Sequence, residues 1–359
     1  MNNEAIATNE TPIAAPETAM STEAAPAIVP EETSAPIATD MTADFKMEAA
    51  PAARDANGKL ILTEDNYFSE DADKEYMSVS QFKNFAGNTV KSGCEYYGYL
   101  MSSKQIPSLV TTALLQGSYV DSYFEGTLAK FKEENKEYLF KKTGNKGLKA
   151  DFFKSENIIR RVNEDPVFMQ YMSGQKQVIM TANLFGVDWK IKMDSYFPGD
   201  KIVDLKCMKN TDPIWCDKAG AKMHFIQAWG YDIQGAIYQK IVEIVTGKKL
   251  PFYIAVATKE DIPDIQLIEV DQEYLDAALA FVEENIQRVL DVKNGKVPPI
   301  HCDKCAYCKK NKKLSGPVKL SMLIPKGKNF GTDNDEEEGS GDENVSYDSP
   351  TPAGGFSLF

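Results

Sequence analysis

The stretch KIVDLKCM, residues 201–208, decides how the rest of the chain is read. Val203 and Leu205 are apolar and suit a buried β-strand. Asp204 and Lys206 lie between and beside them and share one face, because side chains alternate along a strand. A strand that sets a carboxylate and an amine side by side carries either a surface ion pair or a polar site. Exposed ion pairs are common and contribute little. The apolar neighbours Val203, Leu205 and Met208 favour a polar site inside the domain.

Working outward, Asp194 ends the run VDWKIKMD, and a turn at PGD, residues 198–200, leads into the next strand. A hairpin of this length brings Asp194 close to Asp204. Two neighbouring carboxylates repel unless a cation lies between them. Mg²⁺ or Mn²⁺ suits such oxygen ligands, and Mg²⁺ keeps several waters. A cation there can hold a phosphate oxygen and acidify a water. Lys206 can orient or deprotonate that water, or stabilise charge developing on the phosphate. This is the chemistry of phosphodiester hydrolysis.

The surrounding pattern places this hairpin in a mixed α/β domain. SVSQFKNFA, from Ser78, reads as a capped short helix, and residues 107–126 and 147–166 as two further helices, the last stopped by Pro166. Residues 177–208 hold three β-rich runs separated by turns at Asn183–Gly186 and Pro198–Asp200, an antiparallel meander. Residues 224–247 read as one long helix ending at Gly247, followed by the strands PFYIAVATK and IQLIEVD and an amphipathic helix over 272–296. The order predicts a central sheet flanked by helices.

Here the residues resemble a known family. Asp194, a short turn and Asp204–Leu205–Lys206 look like the signature of the PD-(D/E)XK nuclease superfamily, with its restriction-endonuclease-like mixed sheet. Gln234-Gly-Ala-Ile-Tyr238 is similar to the Gln-x-x-x-Tyr motif of the RecB-like branch. LLQGSYVDSYF resembles the Gly-Ser-x-x-(His/Asp) helix of phage and prophage exonucleases of the RecE type (exodeoxyribonuclease VIII). The likeness covers residues 76–325, the expected nuclease domain. It implies that Asp194, Asp204 and the backbone carbonyl of Leu205 bind metal and that Lys206 serves the attacking water. Gln234 and Tyr238, one helical turn apart, would hold DNA phosphate or position the lysine. Asp121 would be a further metal ligand, standing where many relatives have His or Glu. The implied activity is exonucleolytic digestion of one strand from a duplex DNA end. The remaining strand would pass to a single-strand annealing or single-strand-binding protein.

HCDKCAYCKK places Cys302, Cys305 and Cys308 in a C-x2-C-x2-C run. Three thiolates at that spacing can reach one metal centre, and a closed site needs a fourth ligand. Cys94 is the leading candidate. Some RecB-like nucleases resemble this plan, with one early and three late cysteines around a [4Fe–4S] cluster. The late spacing here is tighter than the usual form, so Zn²⁺ with Cys94 or His301 as fourth ligand stays open, as does a metal-free turn. Cys207 and Cys216 read as ordinary core or loop thiols.

The formal net charge of −13 is unevenly spread. Residues 1–75 carry 16 acidic and 4 basic side chains, and residues 329–359 carry 8 acidic and none basic; the 29 acidic and 36 basic side chains between them give a net of +7. A mildly basic core between acidic ends suits a polyanionic partner, although +7 over such a length is also ordinary surface chemistry. Residues 1–57 are rich in Ala, Pro, Thr and Glu without periodicity and read as a disordered arm; residues 326–359 read as an acidic disordered tail. That tail, ending GGFSLF, resembles in style the recruiting tails of single-strand-binding proteins. Trp189, Trp215 and Trp229 suit either base stacking or core packing. Lys141, Lys142, Lys146 and Lys149 suit either a phosphate track or a solvated helix start.

No apolar run approaches the ~20 residues of a membrane span, and the opening MNNEAIATNETP lacks a basic, apolar leader. The expectation is a cytoplasmic protein with reduced cysteines and no membrane partner. Two other readings remain: an iron–sulfur nuclease acting on single strands, and a catalytically silent DNA-binding module on the same fold.

Overall fold

In the computed structural model, residues 53–107, 110–142 and 147–323 are described. Nearly all of the expected N-terminal arm and the whole acidic tail lie outside them. The helical first half contains α1 (Glu70–Glu75), α2 (Val79–Ala86), α3 (Glu95–Ser102), α4 (Thr112–Glu125), α5 (Leu128–Glu134), α6 (Lys136–Leu139), α7 (Ala150–Asn163) and α8 (Pro166–Tyr171). Ser78 caps α2 by accepting from Gln81 N, as its sequence predicts. Pro166 ends nothing by itself. It occupies the first position of α8, where its missing N–H is harmless and Asp165 supplies the cap.

The strands follow: β1 (Val178–Leu184), β2 (Val187–Met193), β3 (Ser195–Phe197), β4 (Lys201–Met208), β5 (Ile214–Cys216) and β6 (Ala221–Met223). After them come α9 (Phe225–Trp229), α10 (Tyr231–Thr246), β7 (Phe252–Thr258), β8 (Ile265–Glu269), α11 (Gln272–Lys293) and α12 (Ala306–Lys310). The expected meander divides into two sheets. β1 and β2 form one antiparallel hairpin; β3, β4, β7 and β8 form a mixed sheet in that order, with β4 and β7 parallel and the other pairs antiparallel. The division falls at Asp194, between β2 and β3. The β5–β6 hairpin was not anticipated, because three-residue strands carry too short a pattern to register.

β4 is buried on both faces, as a central strand with a parallel neighbour tends to be. Val203 and Leu205, with Ala255 and Ala257 of β7, pack against Tyr119, Val120, Phe152 and Ile158 of α4 and α7. Ile202 and Met208, with Ile254 and Val256, join the larger core under α2, α10 and α11. Burial of each such aliphatic side chain contributes roughly 1.5–3 kcal/mol. Asp204 and Lys206 belong by alternation to this second face.

The helix expected over 224–247 is broken at Gly230, which adopts φ +64° and separates α9 from α10. A Cβ there would lie 3.0 Å from Lys83 Cδ and 3.2 Å from Asn88 Cβ. The bend turns the start of α10 towards β4. Further along, Gly235 lets α10 lie close on the sheet: a Cβ would come within 2.5 Å of Phe252 and 2.8 Å of Leu275.

Packed structure also begins before the expected start near Tyr76. Leu60, Ala72 and Tyr76 form a small core, and Lys190, 2 % exposed, binds Asp73 of α1 at 2.9 Å. Polar composition concealed this segment, because its apolar core is small and much of its attachment runs through part-buried ion pairs and hydrogen bonds.

Candidate active site

The ladder between β3 and β4 starts at Ser195 opposite Val203, which leaves Asp194 level with Asp204 at the mouth of the hairpin. Asp194 Oδ2 accepts a 2.8 Å hydrogen bond from Leu205 N. Lys206 Nζ lies 2.5 Å from Asp204 Oδ2, and Gln234 Nε2 donates to Asp204 Oδ1 at 2.7 Å. Tyr238, one turn further along α10, donates its hydroxyl to Lys192 O at 3.1 Å. Asp121 of α4, half-buried, joins these groups at a cavity of about 630 Å³ lined also by Leu205, Gln234 and Tyr238. All seven residues singled out around the carboxylates therefore meet at one cavity. Gln234 reaches Asp204 rather than Lys206, and Tyr238 braces the backbone of β2.

Burial raises the Asp204 carboxyl to about 6, and the Asp194 carboxylate adds to that against the opposing pull of Lys206. Asp121 is raised well above the ordinary carboxylate range, first by burial and then by Asp194. Burial alone would lower Lys206, but Asp204, Tyr231 and Asp194 outweigh it and hold the ammonium above its usual range. Crowded acids whose proton affinities rise together are short of positive charge. Asp204 Oδ2 is buried, and the Lys206 ammonium is its close partner. Crowded acids with the Lys206 ammonium among them fit a hard divalent cation, with Asp121, Asp194, Asp204 and the Leu205 backbone as available ligands.

The family described as a PDDEXK-like domain of unknown function (DUF3799) matches residues 78–311. The chain belongs to this PDDEXK-like family. A crystal structure of a "putative exonuclease" from Eubacterium rectale is 51% identical, covers 74% of this chain and 99% of its own, and superposes with a TM-score of 0.68. No match is found among curated proteins. The mixed sheet flanked by helices is thus a PD-(D/E)XK nuclease fold.

Three residues of this PDDEXK-like pocket were not anticipated. Glu125 lies one turn beyond Asp121 on α4, a spacing that could have flagged it. Lys83, 6 % exposed, reaches the cavity from α2 and donates to Trp229 O at 2.9 Å; burial, then Lys206, lowers it to about 8. Tyr231 places its ring 5.0 Å from Lys206 Nζ. Neither of the last two has a local signal, because both depend on the bend at Gly230.

The family match ends at residue 311, just past the late cysteines. The structure brings Cys94, Cys302, Cys305 and Cys308 together, with their sulfurs all within 4.8 Å of one another. His301 instead stacks on Tyr96, ring centroids 4.0 Å apart. Of the tryptophans, Trp189 is wholly buried and Trp215 is 62 % exposed, while Trp229 lines the cavity with Lys91 over its ring. Lys141 and Lys142 are exposed and Lys149 donates to Glu137 O; none of the three lines the cavity, and Lys146 lies outside the described residues. Among the described residues no helix is long and apolar enough to cross a membrane.

Proposed function

We propose that this chain is a metal-dependent DNA exonuclease that hydrolyses phosphodiester bonds from duplex ends. The observation that carries the reading is the pairing of Asp194 and Asp204 across one hairpin, with Lys206 ion-paired to Asp204 beside them at the cavity. Mg²⁺ or Mn²⁺ held by Asp121, Asp194, Asp204 and the Leu205 carbonyl would polarise the phosphate and acidify the attacking water. The protein groups do the rest. Gln234 fixes one oxygen of Asp204 and so aims the other. Lys206 orients the water and stabilises charge developing on the phosphate. Tyr238 holds β2, and with it Lys192, at the cavity wall. Water attacks phosphorus directly, and no protein nucleophile is needed.

The phage-type role belongs to the same proposal. One strand is removed from a duplex end, and the other is left for an annealing or single-strand-binding protein. The net +7 of residues 76–328 suits the DNA backbone.

The test uses end-labelled linear duplex, closed circular duplex and linear single strands, each with Mg²⁺. Nucleotide release from the linear duplex alone is the expected result. Cutting of the circle indicates an endonuclease. Preference for single strands indicates the alternative substrate, and no cleavage of any of them indicates a DNA-binding module without catalysis.

A further inference from the structure

The four clustered sulfurs belong to no part of the proposed hydrolysis, and their spacing is informative. Cys94 and Cys308 stand 3.5 Å apart, Cys94 and Cys305 3.8 Å, and Cys302 and Cys308 3.8 Å. Four thiolates about one tetrahedral zinc, each at ~2.3 Å from the ion, stand about 3.8 Å from one another. In a four-iron cluster each cysteine binds a different iron. Every sulfur pair is then spread by the iron–iron separation as well as by two iron–sulfur bonds. With every pair inside 4.8 Å, the set fits the single ion, and of the alternatives left open by the sequence the [4Fe–4S] cluster does not fit.

A second observation points to a metal at these sulfurs. Three of the four sulfurs accept backbone N–H groups: Cys94 from Tyr97 at 3.4 Å, Cys302 from Cys305 at 3.3 Å and Cys305 from Cys308 at 3.4 Å. Backbone donors of this kind commonly surround metal-bound sulfur and orient it. All six cysteines are free, so no disulfide accounts for the cluster. His301, engaged with Tyr96, leaves a donor set of sulfur only. Soft thiolates in a closed tetrahedral set suit zinc, which also binds more tightly than ferrous iron at a given site.

We propose that Cys94, Cys302, Cys305 and Cys308 hold one zinc ion in a closed, structural site. No ligand position is left for substrate. The ion joins the start of α3 to the turn before α12, across 208 positions of chain. Its surroundings extend the joint. Glu95 receives two hydrogen bonds from Arg288 of α11, at 2.9 and 2.7 Å. Asp217, at the β5–β6 turn, accepts from Ser92 N at 3.0 Å and pairs with Lys304 at 3.2 Å. Ile214 of that hairpin lines the carboxylate cavity. The zinc site therefore also props one wall of the pocket. This assignment is independent of the nuclease reading.

The test is elemental analysis of the full chain, purified without metal-affinity resin in parallel with and without oxygen. The expected result is about one zinc per chain in both, with no iron, no acid-labile sulfide and no visible absorption band. X-ray absorption at the zinc edge should show sulfur ligands only, near ~2.3 Å. Replacement by Co²⁺ should give the intense visible bands of a tetrahedral tetrathiolate. Cys305→Ser should lower the zinc content, and Cys216→Ser should not. Where Cys305→Ser is insoluble, titrating the wild-type chain with a mercurial should release zinc to a chromogenic chelator. Iron with sulfide, one iron without sulfide, or a folded chain free of metal would each overturn the assignment.

Discussion

At the carboxylate pocket, Asp194 and Asp204 face each other across one hairpin and Asp121 comes from a distant helix; burial and then neighbouring carboxylates push Asp121 and Asp204 towards their protonated forms. At the cysteine centre, three of the four donors come from one short segment at the start of α12, and backbone N–H groups bond three of the sulfurs although burial pushes the Cys94 and Cys305 thiols up. The first site stores an electrostatic cost that a cation relieves. The second, with the proposed ion bound, would tie distant segments and add to stability. Functional sites are where such costs are tolerated, so the two should respond to substitution in opposite directions.

The largest expected effect is on catalysis. Lys206→Ala should reduce nucleotide release from linear duplex by about 10³-fold, within the range of lost electrostatic stabilisation. The fold and DNA retention in a binding assay should persist. Cleavage at the normal rate would remove Lys206 from the chemistry and leave the comparison without its active half.

Next comes removal of the ion from the cysteine centre. Stripping it should lower the melting temperature by about 10 °C, since 1 kcal/mol shifts a domain of this size by about 2–4 °C. Cleavage measured well below the melting transition should fall much less than in Lys206→Ala. A large loss of cleavage without loss of stability would mean that the two sites do not divide the labour as described.

Gln234→Ala should weaken Mg²⁺ activation or cleavage about 10–100-fold, the usual effect of losing a residue that orients a metal ligand. A Mg²⁺ titration of the rate reads this directly. Cleavage should also fall in acid, because Asp204, raised to about 6 without metal, must lose its proton to serve as a ligand, and added Mg²⁺ should move the fall to lower pH.

The smallest effect is on stability without metal, and its sign is the sharpest test. The Asp121 proton affinity is raised on folding, so its ionisation is disfavoured in the native state. Its protonated form contributes stability below the ordinary carboxylate range, and that contribution disappears as pH rises towards the raised value. Asp121→Asn should therefore raise the melting temperature of Mg²⁺-free protein at neutral pH by a few degrees, ~2–4 °C per kcal/mol. The gain should shrink in acid, and added Mg²⁺ should stabilise the variant less than the wild type. A drop in melting temperature at neutral pH would show that Asp121 supports the fold.

Much of the architecture could be read from local pattern. Ser78 as a cap, the turns at 183–186 and 198–200, and Gly247 as a helix end each act within a few residues. The hairpin spacing was enough to set Asp194 against Asp204, because register follows from turn length. Gly230 escaped notice for the opposite reason. A glycine inside an apolar-periodic run reads as a tolerated interruption until Lys83 and Asn88, distant in sequence, occupy the space its side chain would need. The segment before Tyr76 was hidden because Lys190 and Asp73 meet only in the folded chain.

Alternation, turn chemistry and residue spacing are short-range properties, and they were sufficient for the fold class, the acidic hairpin and the triplet of late cysteines. Long-range contact supplied what they could not. It placed Cys94 on that triplet at distances suited to a single ion. It also turned Gln234 onto Asp204 instead of Lys206 and carried Lys83 and Tyr231 into the cavity. Distances between groups far apart along the chain, and the burial that shifts their proton affinities, exist only once the layers have packed.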